Sequence, residues 1–155
     1  MITMYTDGAC KGNPGSGGYA AVIKLNEVDT LEVISGGDQY TTNNRMELTA
    51  VIKGLAYVYD NNKLNKEDIL LYTDSQYIVR AINENWLDNW INKQFKNVKN
   101  QDLWFMLWKY ICKLNVKFQW VKGHDGNTYN ELADQLASEA CYFQDKAFTY
   151  KMNKN

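Results

Sequence analysis

Two apolar segments of this chain end in the same three residues, Tyr-Thr-Asp. The first copy places Asp7 before Gly8, and the second places Asp74 before Ser75. Aspartate suits the end of a strand better than its interior, and from a strand end its carboxylate projects beyond the sheet. If the two strands are parallel neighbours, the two carboxylates converge. Taken singly, Asp74 as a helix cap and Asp7 as the start of a turn are the simpler explanations.

Two further acids lie at the margins of the apolar faces of predicted helices. Glu47 follows Asn44 by three residues near the start of one helix, and Asp134 lies one turn after Asn130 in another. An acid in an early helical turn complements the helix dipole, and the pair Asn44 and Glu47 resembles a capping box. Each of these acids therefore has an ordinary structural explanation by itself.

The chemistry of converging acids is that of a metal site. Carboxylates within about 5 Å of one another repel, which shifts their pKa values or destabilises the fold unless cations neutralise them. Magnesium suits such a site because it prefers oxygen ligands and keeps several water molecules. Two such ions roughly 4 Å apart can activate an attacking water and stabilise the leaving oxygen of a phosphodiester. Convergence of the acids would thus indicate metal-dependent cleavage of phosphodiesters.

The elements that must position these acids follow from the hydrophobic pattern. The first third of the chain alternates apolar and polar residues, which predicts strands at about 2–8, 18–25 and 31–37 with a glycine-rich turn before the second. Helical periodicity begins at Asn44. The later elements are a strand at 69–73, a helix after 74, two tryptophans one helical turn apart at 86 and 90, a helix at 102–113, a strand at 116–121 and a helix at 128–143. This order predicts a mixed α/β sheet with helices on its faces.

Composition indicates one globular domain. The chain has 155 residues, of which 45% are hydrophobic and 14% aromatic, and this is enough to bury a core. We expect the domain to span residues 1–144 and the polar end, 145–155, to be flexible. The three cysteines are widely spaced without a CxxC pair, which favours reduced thiols in the cytoplasm over disulfides or zinc. Neither a signal peptide nor a membrane span is expected.

Charge is unevenly distributed along the chain. The formal net charge is −1, which does not by itself suggest a nucleic-acid partner. Between Trp86 and Lys122, however, the only acids are Asp88 and Asp102, whereas the lysines are Lys93, Lys96, Lys99, Lys109, Lys113, Lys117 and Lys122. This segment is therefore basic, and the acids concentrate elsewhere.

Six motifs in this order resemble ribonuclease H of the type 1 (bacterial HI) family over nearly the whole chain. They occupy residues 5–15, 41–48, 72–76, 99–104, 120–124 and 130–134. The resemblance implies an α/β, ribonuclease H-like fold with a five-stranded mixed sheet and helices on both faces. It implies an endoribonuclease that hydrolyses the RNA strand of RNA/DNA hybrids and leaves 5′-phosphate and 3′-hydroxyl ends. A monomer in the cytoplasm, without membrane contact, is expected.

The resemblance also assigns catalytic residues. Its four metal ligands correspond to Asp7, Glu47, Asp74 and Asp134, and two Mg²⁺ ions are the implied cofactors, with Mn²⁺ as a possible substitute. His124 corresponds to the family's mobile-loop histidine, to which proton handling or product release is attributed. It is the only histidine of the chain, and an unperturbed imidazole pKa near 6.5 suits that task. The resemblance thus selects Glu47 and Asp134 over neighbouring acids.

Substrate contacts are implied in the same way. The short amides that correspond to minor-groove contacts are Asn13, Asn43, Asn44 and Gln76. Thr42 and Asn100 correspond to a DNA-phosphate pocket, which some relatives complete with an arginine at the position of Tyr40. Trp86 corresponds to the aromatic residue that packs on the sugars of the DNA strand. The basic loop is short and carries three lysines, Lys93, Lys96 and Lys99, so binding should be weaker and less salt-sensitive than in lysine-rich relatives.

Three alternatives remain open at this point. The first is another nuclease of the same fold, such as a junction resolvase or transposase core. The second is a non-catalytic module that binds RNA/DNA hybrids, although a binder would gain by losing acids that face phosphate. A glycosidase carboxylate pair is a remote third alternative, because nothing else in the sequence indicates a sugar cleft.

Overall fold

A computed structural model of the chain describes residues 1–25, 29–123, 127–142 and 145–151. The strands in this part of the chain are β1 (Ile2–Gly12), β2 (Gly15–Lys24), β3 (Thr30–Thr41), β4 (Asp68–Thr73), β5 (Asn115–Trp120) and β6 (Lys146–Lys151). The helices are α1 (Asn43–Asp60), α2 (Gln76–Asn83), α3 (Trp86–Asn92), α4 (Gln101–Lys113) and α5 (Thr128–Glu139), and α5 continues into a 3-10 turn at Ala140–Tyr142. None of the described helices is long and apolar enough to cross a membrane.

The strands form one mixed sheet in the order β5-β4-β1-β2-β3-β6. The pairs β1/β4 and β4/β5 are parallel, and the remaining pairs are antiparallel. Thr6 pairs with Thr73, and Thr73 pairs with Trp120. β4 and β5 therefore end side by side at the point where β1 parts from β4. The two Tyr-Thr-Asp segments are therefore parallel neighbours in register, as their shared sequence suggested.

Helices cover both faces of the sheet because successive residues of the central strands point in opposite directions. Met4 and Ile23 belong to the larger core cluster, which includes residues of α1, α2 and α4. Tyr5 and Val22 belong to the smaller cluster, where Ala133 of α5 packs. The predicted α/β architecture with helices on both faces is confirmed.

The sheet has a sixth strand that the sequence did not predict. β6 pairs antiparallel with β3, and the side chain of Phe148 packs against the smaller core cluster. The hydroxyl of Thr149 donates to Glu32 Oε1 at 2.9 Å. The prediction of a flexible end is therefore wrong for residues 146–151, because the exposed backbone edge of β3 offers pairing that side-chain composition does not reveal. Residues 152–155 lie outside the described part of the chain.

Two local predictions for the elements around Asp7 and Glu47 also need correction. β1 does not stop near residue 8 but continues on β2 alone to Gly12, whereas its pairing with β4 ends at Thr6. The N-cap of α1 is Thr42 rather than Asn44, because Thr42 Oγ1 accepts from the Arg45 N–H at 3.3 Å. The capping-box interpretation of Glu47 is thus wrong, and its carboxylate is left for another purpose.

Candidate active site

A cleft of about 360 Å³ opens at the carboxyl end of β4, where β1 parts from it, beside the first turns of α1 and α2. All four acids selected by the resemblance line it, namely Asp7, Glu47, Asp74 and Asp134. The parallel pairing of β1 with β4 brings Asp7 and Asp74 together. α1 and α5 then deliver Glu47 and Asp134 from the two faces of the sheet.

Three of the carboxylates are close enough to share a cation. One oxygen from each of Asp7, Glu47 and Asp74 lies within 4.8 Å of the other two. Asp7 is 3% exposed and Glu47 is 4% exposed, whereas Asp74 is half-buried. Asp134 also lines the cleft, and it lies near enough to Asp7 to raise the pKa of the Asp7 carboxyl. The fourth acid therefore interacts with this group.

Gly8 explains how Glu47 reaches Asp7. A Cβ atom on Gly8 would overlap the backbone of Met46 and Glu47, so only glycine lets α1 approach β1 this closely. The Gly8 N–H donates to Asp7 Oδ1 at 2.8 Å and to Glu47 Oε1 at 2.6 Å. A single backbone donor thus orients two carboxylates.

Burial and mutual repulsion raise the pKa values of the two most buried acids. The Asp7 pKa is raised chiefly by burial, and then by the neighbouring carboxylates of Glu47, Asp74 and Asp134. The Glu47 pKa is also raised, chiefly by burial and further by Asp74, although interaction with the Asp7 carboxyl and the Gly8 N–H oppose the shift. Both residues would therefore hold protons more tightly than ordinary carboxyls.

The donor set fits a divalent cation. Glu47 Oε2 is buried and has no hydrogen-bond partner among the described residues, although a buried carboxylate oxygen is costly to leave unsatisfied. Oxygen ligands from Asp7, Glu47 and Asp74 match the preference of magnesium, and a cation would offset their repulsion. This group of acids could therefore hold a metal ion.

The exit of β5 lies against Asp74. The Trp120 indole N–H donates to the Asp74 carbonyl at 3.2 Å, and the Val121 N–H donates to the Thr73 carbonyl at 2.9 Å. A Cβ atom on Gly123 would lie 2.9 Å from Asp74 Oδ2. The segment after β5 is thus held beside the acids, and His124, which follows Gly123, lies outside the described residues.

Amide side chains line the cleft next to the acids. Asn43, Asn44 and Gln76 all contribute to its wall, and Asn13 Oδ1 accepts from the Asn43 N–H at 3.1 Å. The sequence interpretation missed Ser75 and Tyr77, which also line the cleft. For Ser75 the signal was present, because it follows the second Tyr-Thr-Asp segment and caps α2 through its hydroxyl oxygen.

The remaining predicted contacts lie outside the cleft lining. Asn100 Oδ1 accepts from Arg45 Nη1 at 3.3 Å. Trp86 is half-buried, its ring centroid lies 6.5 Å from that of Trp90, and the Arg80 guanidinium lies over its ring. The described loop lysines are all exposed, namely Lys93, Lys96 and Lys99.

Comparison with known proteins gives consistent results. The RNase H family model matches residues 1–142. The chain is 49% identical over 144 residues to the ribonuclease H proteins of Francisella philomiragia subsp. philomiragia and Francisella tularensis subsp. novicida, and the match covers 90% of each chain.

Solved structures of type 1 enzymes are also similar. LC9-RNase H1, a type 1 RNase H with the type 2 active-site motif, superposes with a TM-score of 0.82 at 25% identity, over 98% of this chain and 77% of that one. LC11-RNase H1 in complex with an RNA/DNA hybrid superposes with a TM-score of 0.71 at 26% identity, over 91% and 96%. Because the family model matches most of its length and its relatives are ribonucleases H, the chain belongs to the ribonuclease H family of nucleases.

Proposed function

We propose that this chain is an endoribonuclease that hydrolyses the RNA strand of RNA/DNA hybrids. The observation that carries the proposal is the group of three buried or half-buried carboxylates, Asp7, Glu47 and Asp74, whose oxygens lie within 4.8 Å of one another in an open cleft. Family membership and the similarity to LC11-RNase H1, solved with a hybrid, support the choice of substrate.

The proposed cofactors are two Mg²⁺ ions, with Mn²⁺ as a possible substitute. The residues that would hold them are Asp7, Glu47, Asp74 and Asp134. Among these, Glu47 Oε2 is a buried acceptor without a hydrogen-bond partner in the described part of the chain, which suits a metal ligand. Bound in such a pair, divalent cations lower the pKa of a water nucleophile and stabilise the leaving oxygen. The protein itself contributes the burial, the Gly8 N–H and the convergence of strands that hold the carboxylates in place.

The proposed reaction is a single displacement at phosphorus. The oxygen of a water molecule bonds to phosphorus as the P–O3′ bond breaks; the water gives up one proton, and the departing O3′ takes one up. One product then ends in a 5′-phosphate and the other in a 3′-hydroxyl. His124 is proposed to handle a proton or to assist product release, since a free imidazole titrates near neutral pH.

Substrate binding is proposed to extend on both sides of the acids. The amides of Asn13, Asn43, Asn44 and Gln76 lie in or beside the cleft, where they can contact the minor groove of the hybrid. The proposed contacts to the DNA strand are Thr42 and Asn100 at one phosphate, Trp86 at a sugar, and the lysines Lys93, Lys96 and Lys99 at further phosphates.

We further propose that the protein acts as a cytoplasmic monomer, with a catalytic domain that comprises residues 1–144 together with β6. Its cysteines, Cys10, Cys112 and Cys141, are all free thiols, which is the usual state in a reducing compartment. Gel filtration coupled to light scattering would test the oligomeric state, and a mass near 18.0 kDa is the expected result.

Cleavage of labelled duplexes tests the proposed activity. RNA/DNA, RNA/RNA and DNA/DNA duplexes are incubated with Mg²⁺ or with EDTA, using wild type, Asp7→Asn and the matched control Asp60→Asn, which alters an exposed acid at the far end of α1. We expect cleavage only in the RNA strand of the hybrid, its loss with EDTA and with Asp7→Asn, and full activity for Asp60→Asn.

The same assay distinguishes the alternatives. Tight binding of the hybrid without cleavage would support a non-catalytic binding module. Cleavage of DNA/DNA duplexes or branched DNA would support another nuclease chemistry on the same fold. Cleavage that persists in EDTA would contradict the metal-dependent mechanism.

A further inference from the structure

Arg45 contacts both residues of the proposed DNA-phosphate pocket. Its backbone N–H donates to Thr42 Oγ1 at 3.3 Å, and its guanidinium Nη1 donates to Asn100 Oδ1 at 3.3 Å. The same guanidinium makes two hydrogen bonds to the Asp102 carboxylate, at 3.0 and 2.7 Å. One residue therefore joins the first turn of α1 to the first turn of α4.

The amide of Asn100 depends on this contact for its orientation. Asn100 has a left-handed backbone, with φ 60°, and its side chain makes no capping hydrogen bond to α4. An asparagine amide can present its oxygen or its NH₂ group to a neighbour, and the partners decide which one. Arg45 has only donors to offer, so the oxygen must face Arg45. The NH₂ group then points away, and its contact with the Tyr77 hydroxyl is long, at 3.5 Å.

Thr42, like Asn100, has its acceptor engaged and a donor to spare. Its Oγ1 accepts from the Arg45 backbone N–H, while the hydroxyl proton is not needed for that bond. The backbone N–H of residue 45 thus occupies the acceptor of Thr42, whatever its side chain, and the guanidinium occupies the acceptor of Asn100. Both residues keep donors. Phosphate oxygens are acceptors, so two oriented donors match an anion of this kind.

The surroundings of Arg45 argue against a direct role as the cation that binds the phosphate. Its charge is already opposed by Asp102, and the pKa of the guanidinium is raised by that residue and by Asp38. Both partners of the ion pair are well exposed, at 35% for Arg45 and 61% for Asp102, so the pair contributes little to stability. The negative charge of Asp102 weakens the attraction of the pocket for a phosphate. The ion pair is therefore better suited to orient neighbouring side chains than to attract the anion.

We propose that Arg45, held by Asp102, is a positioning residue that orients the Asn100 amide, so that its NH₂ group and the Thr42 hydroxyl together donate hydrogen bonds to one phosphate of the DNA strand. The proposal rests on the proposed function, since it concerns the same substrate. It also explains how the pocket could bind a phosphate without the arginine that some relatives carry at the position of Tyr40, which is exposed in this chain. Here the affinity of the pocket comes from aligned neutral donors.

The test combines protein variants with substrates that lack one charge. Hybrids are prepared whose DNA strand carries a single neutral methylphosphonate, moved one position at a time. The variants are Arg45→Met, Arg45→Lys and Asp102→Asn. The matched control is Lys53→Met, which removes a cation from another exposed pair, that with Asp145 at 3.2 Å.

For wild type we expect the methylphosphonate at the pocket phosphate to raise KM by about tenfold, as loss of a charge-assisted contact should. Positions at the phosphates near the loop lysines should also raise KM, but their effect should not change in the Arg45 variants. Arg45→Met should raise KM for the unmodified hybrid about fivefold with kcat within about twofold, and the effect of the pocket position should shrink to the part contributed by Thr42, which the backbone N–H still holds. Asp102→Asn should show the same loss in weaker form, and Arg45→Lys should recover part of the binding. Lys53→Met should behave as wild type. Unfolding midpoints will show that each variant is folded.

Three results would overturn the proposal. A lower KM and a stronger position effect in Asp102→Asn would mean that Arg45 binds the phosphate directly once it is released. An unchanged KM in Arg45→Met would mean that Arg45 does not position the phosphate contacts. The absence of a sensitive position in wild type would mean that Thr42 and Asn100 do not bind a phosphate. Failure of the wild-type protein to cleave any hybrid would instead contradict the proposed function.

Discussion

Replacing Asp7 by asparagine should stabilise the metal-free protein while abolishing its response to Mg²⁺. The carboxylates of Asp7, Glu47 and Asp74 lie within 4.8 Å of one another. At that separation and an effective dielectric constant of about 20, two unit charges repel by about 3.5 kcal/mol. Protons retained by the buried pair relieve part of this repulsion, so we expect Asp7→Asn to raise the free energy of unfolding by about 2 kcal/mol in EDTA at high pH.

The sign of the pH dependence follows from the direction of the pKa shifts. Asp7 and Glu47 have raised pKa values in the folded state, so folding is favoured when they are protonated. The metal-free wild type should therefore lose stability as pH rises from about 4, the unfolded value. Asp7→Asn should lose less. Mg²⁺ competes with these protons, so its stabilisation of wild type should grow with pH and reach about 2.7 kcal/mol at a hundredfold excess over Kd.

Urea denaturation followed by tryptophan fluorescence measures these quantities. Wild type, Asp7→Asn and the control Asp60→Asn are unfolded at about pH 5.5 and about pH 8.5, with EDTA or with Mg²⁺. Asp60→Asn should change the free energy of unfolding by less than about 0.5 kcal/mol. If Asp7→Asn is less stable than wild type in EDTA at both pH values, repulsion among the acids does not dominate and the reasoning is refuted.

Three further predictions concern other parts of the structure. Gly123→Ala should push on Asp74 Oδ2, which lies 2.9 Å from the added carbon, and raise the Mg²⁺ Kd about tenfold by calorimetry; an unchanged Kd would contradict the contact. Phe148→Ala should destabilise the protein by about 1 to 2 kcal/mol with kcat unchanged, and equal unfolding midpoints would show that β6 contributes nothing. Glutamine at all three loop lysines should lower the slope of log KM against log salt by about 2 to 3, and an unaltered slope would exclude phosphate contacts by Lys93, Lys96 and Lys99.

The fold could be predicted from the sequence wherever the signal was local. The side chains that face a core recur at every second residue in β1 to β3 and at helical spacing in α1. Such a pattern can be read from neighbouring residues alone. β6 escaped prediction because its main support is the backbone edge of β3, a partner more than a hundred residues away. The start of α1 escaped as well, since Thr42 and Asn44 are both good caps and only the backbone geometry chooses between them.

For the candidate active site, the sequence by itself marked the residues that are proposed to carry the chemistry. The repeated Tyr-Thr-Asp marked Asp7 and Asp74, and the resemblance of six motifs added Glu47 and Asp134. Only the tertiary structure decided that these acids meet. That depends on the parallel register of β1 with β4 and on the close approach of α1 to Gly8, and neither is encoded in any short segment.

The properties of the site, unlike the identity of its residues, also depend on tertiary contacts. The raised pKa values and the unsatisfied Glu47 Oε2 arise from burial, which is set by all the elements that pack around a residue. The contact of Arg45 with Asn100 joins residues from two helices. A side chain's type is local information, whereas its dielectric surroundings and its distant neighbours exist only once the chain has folded.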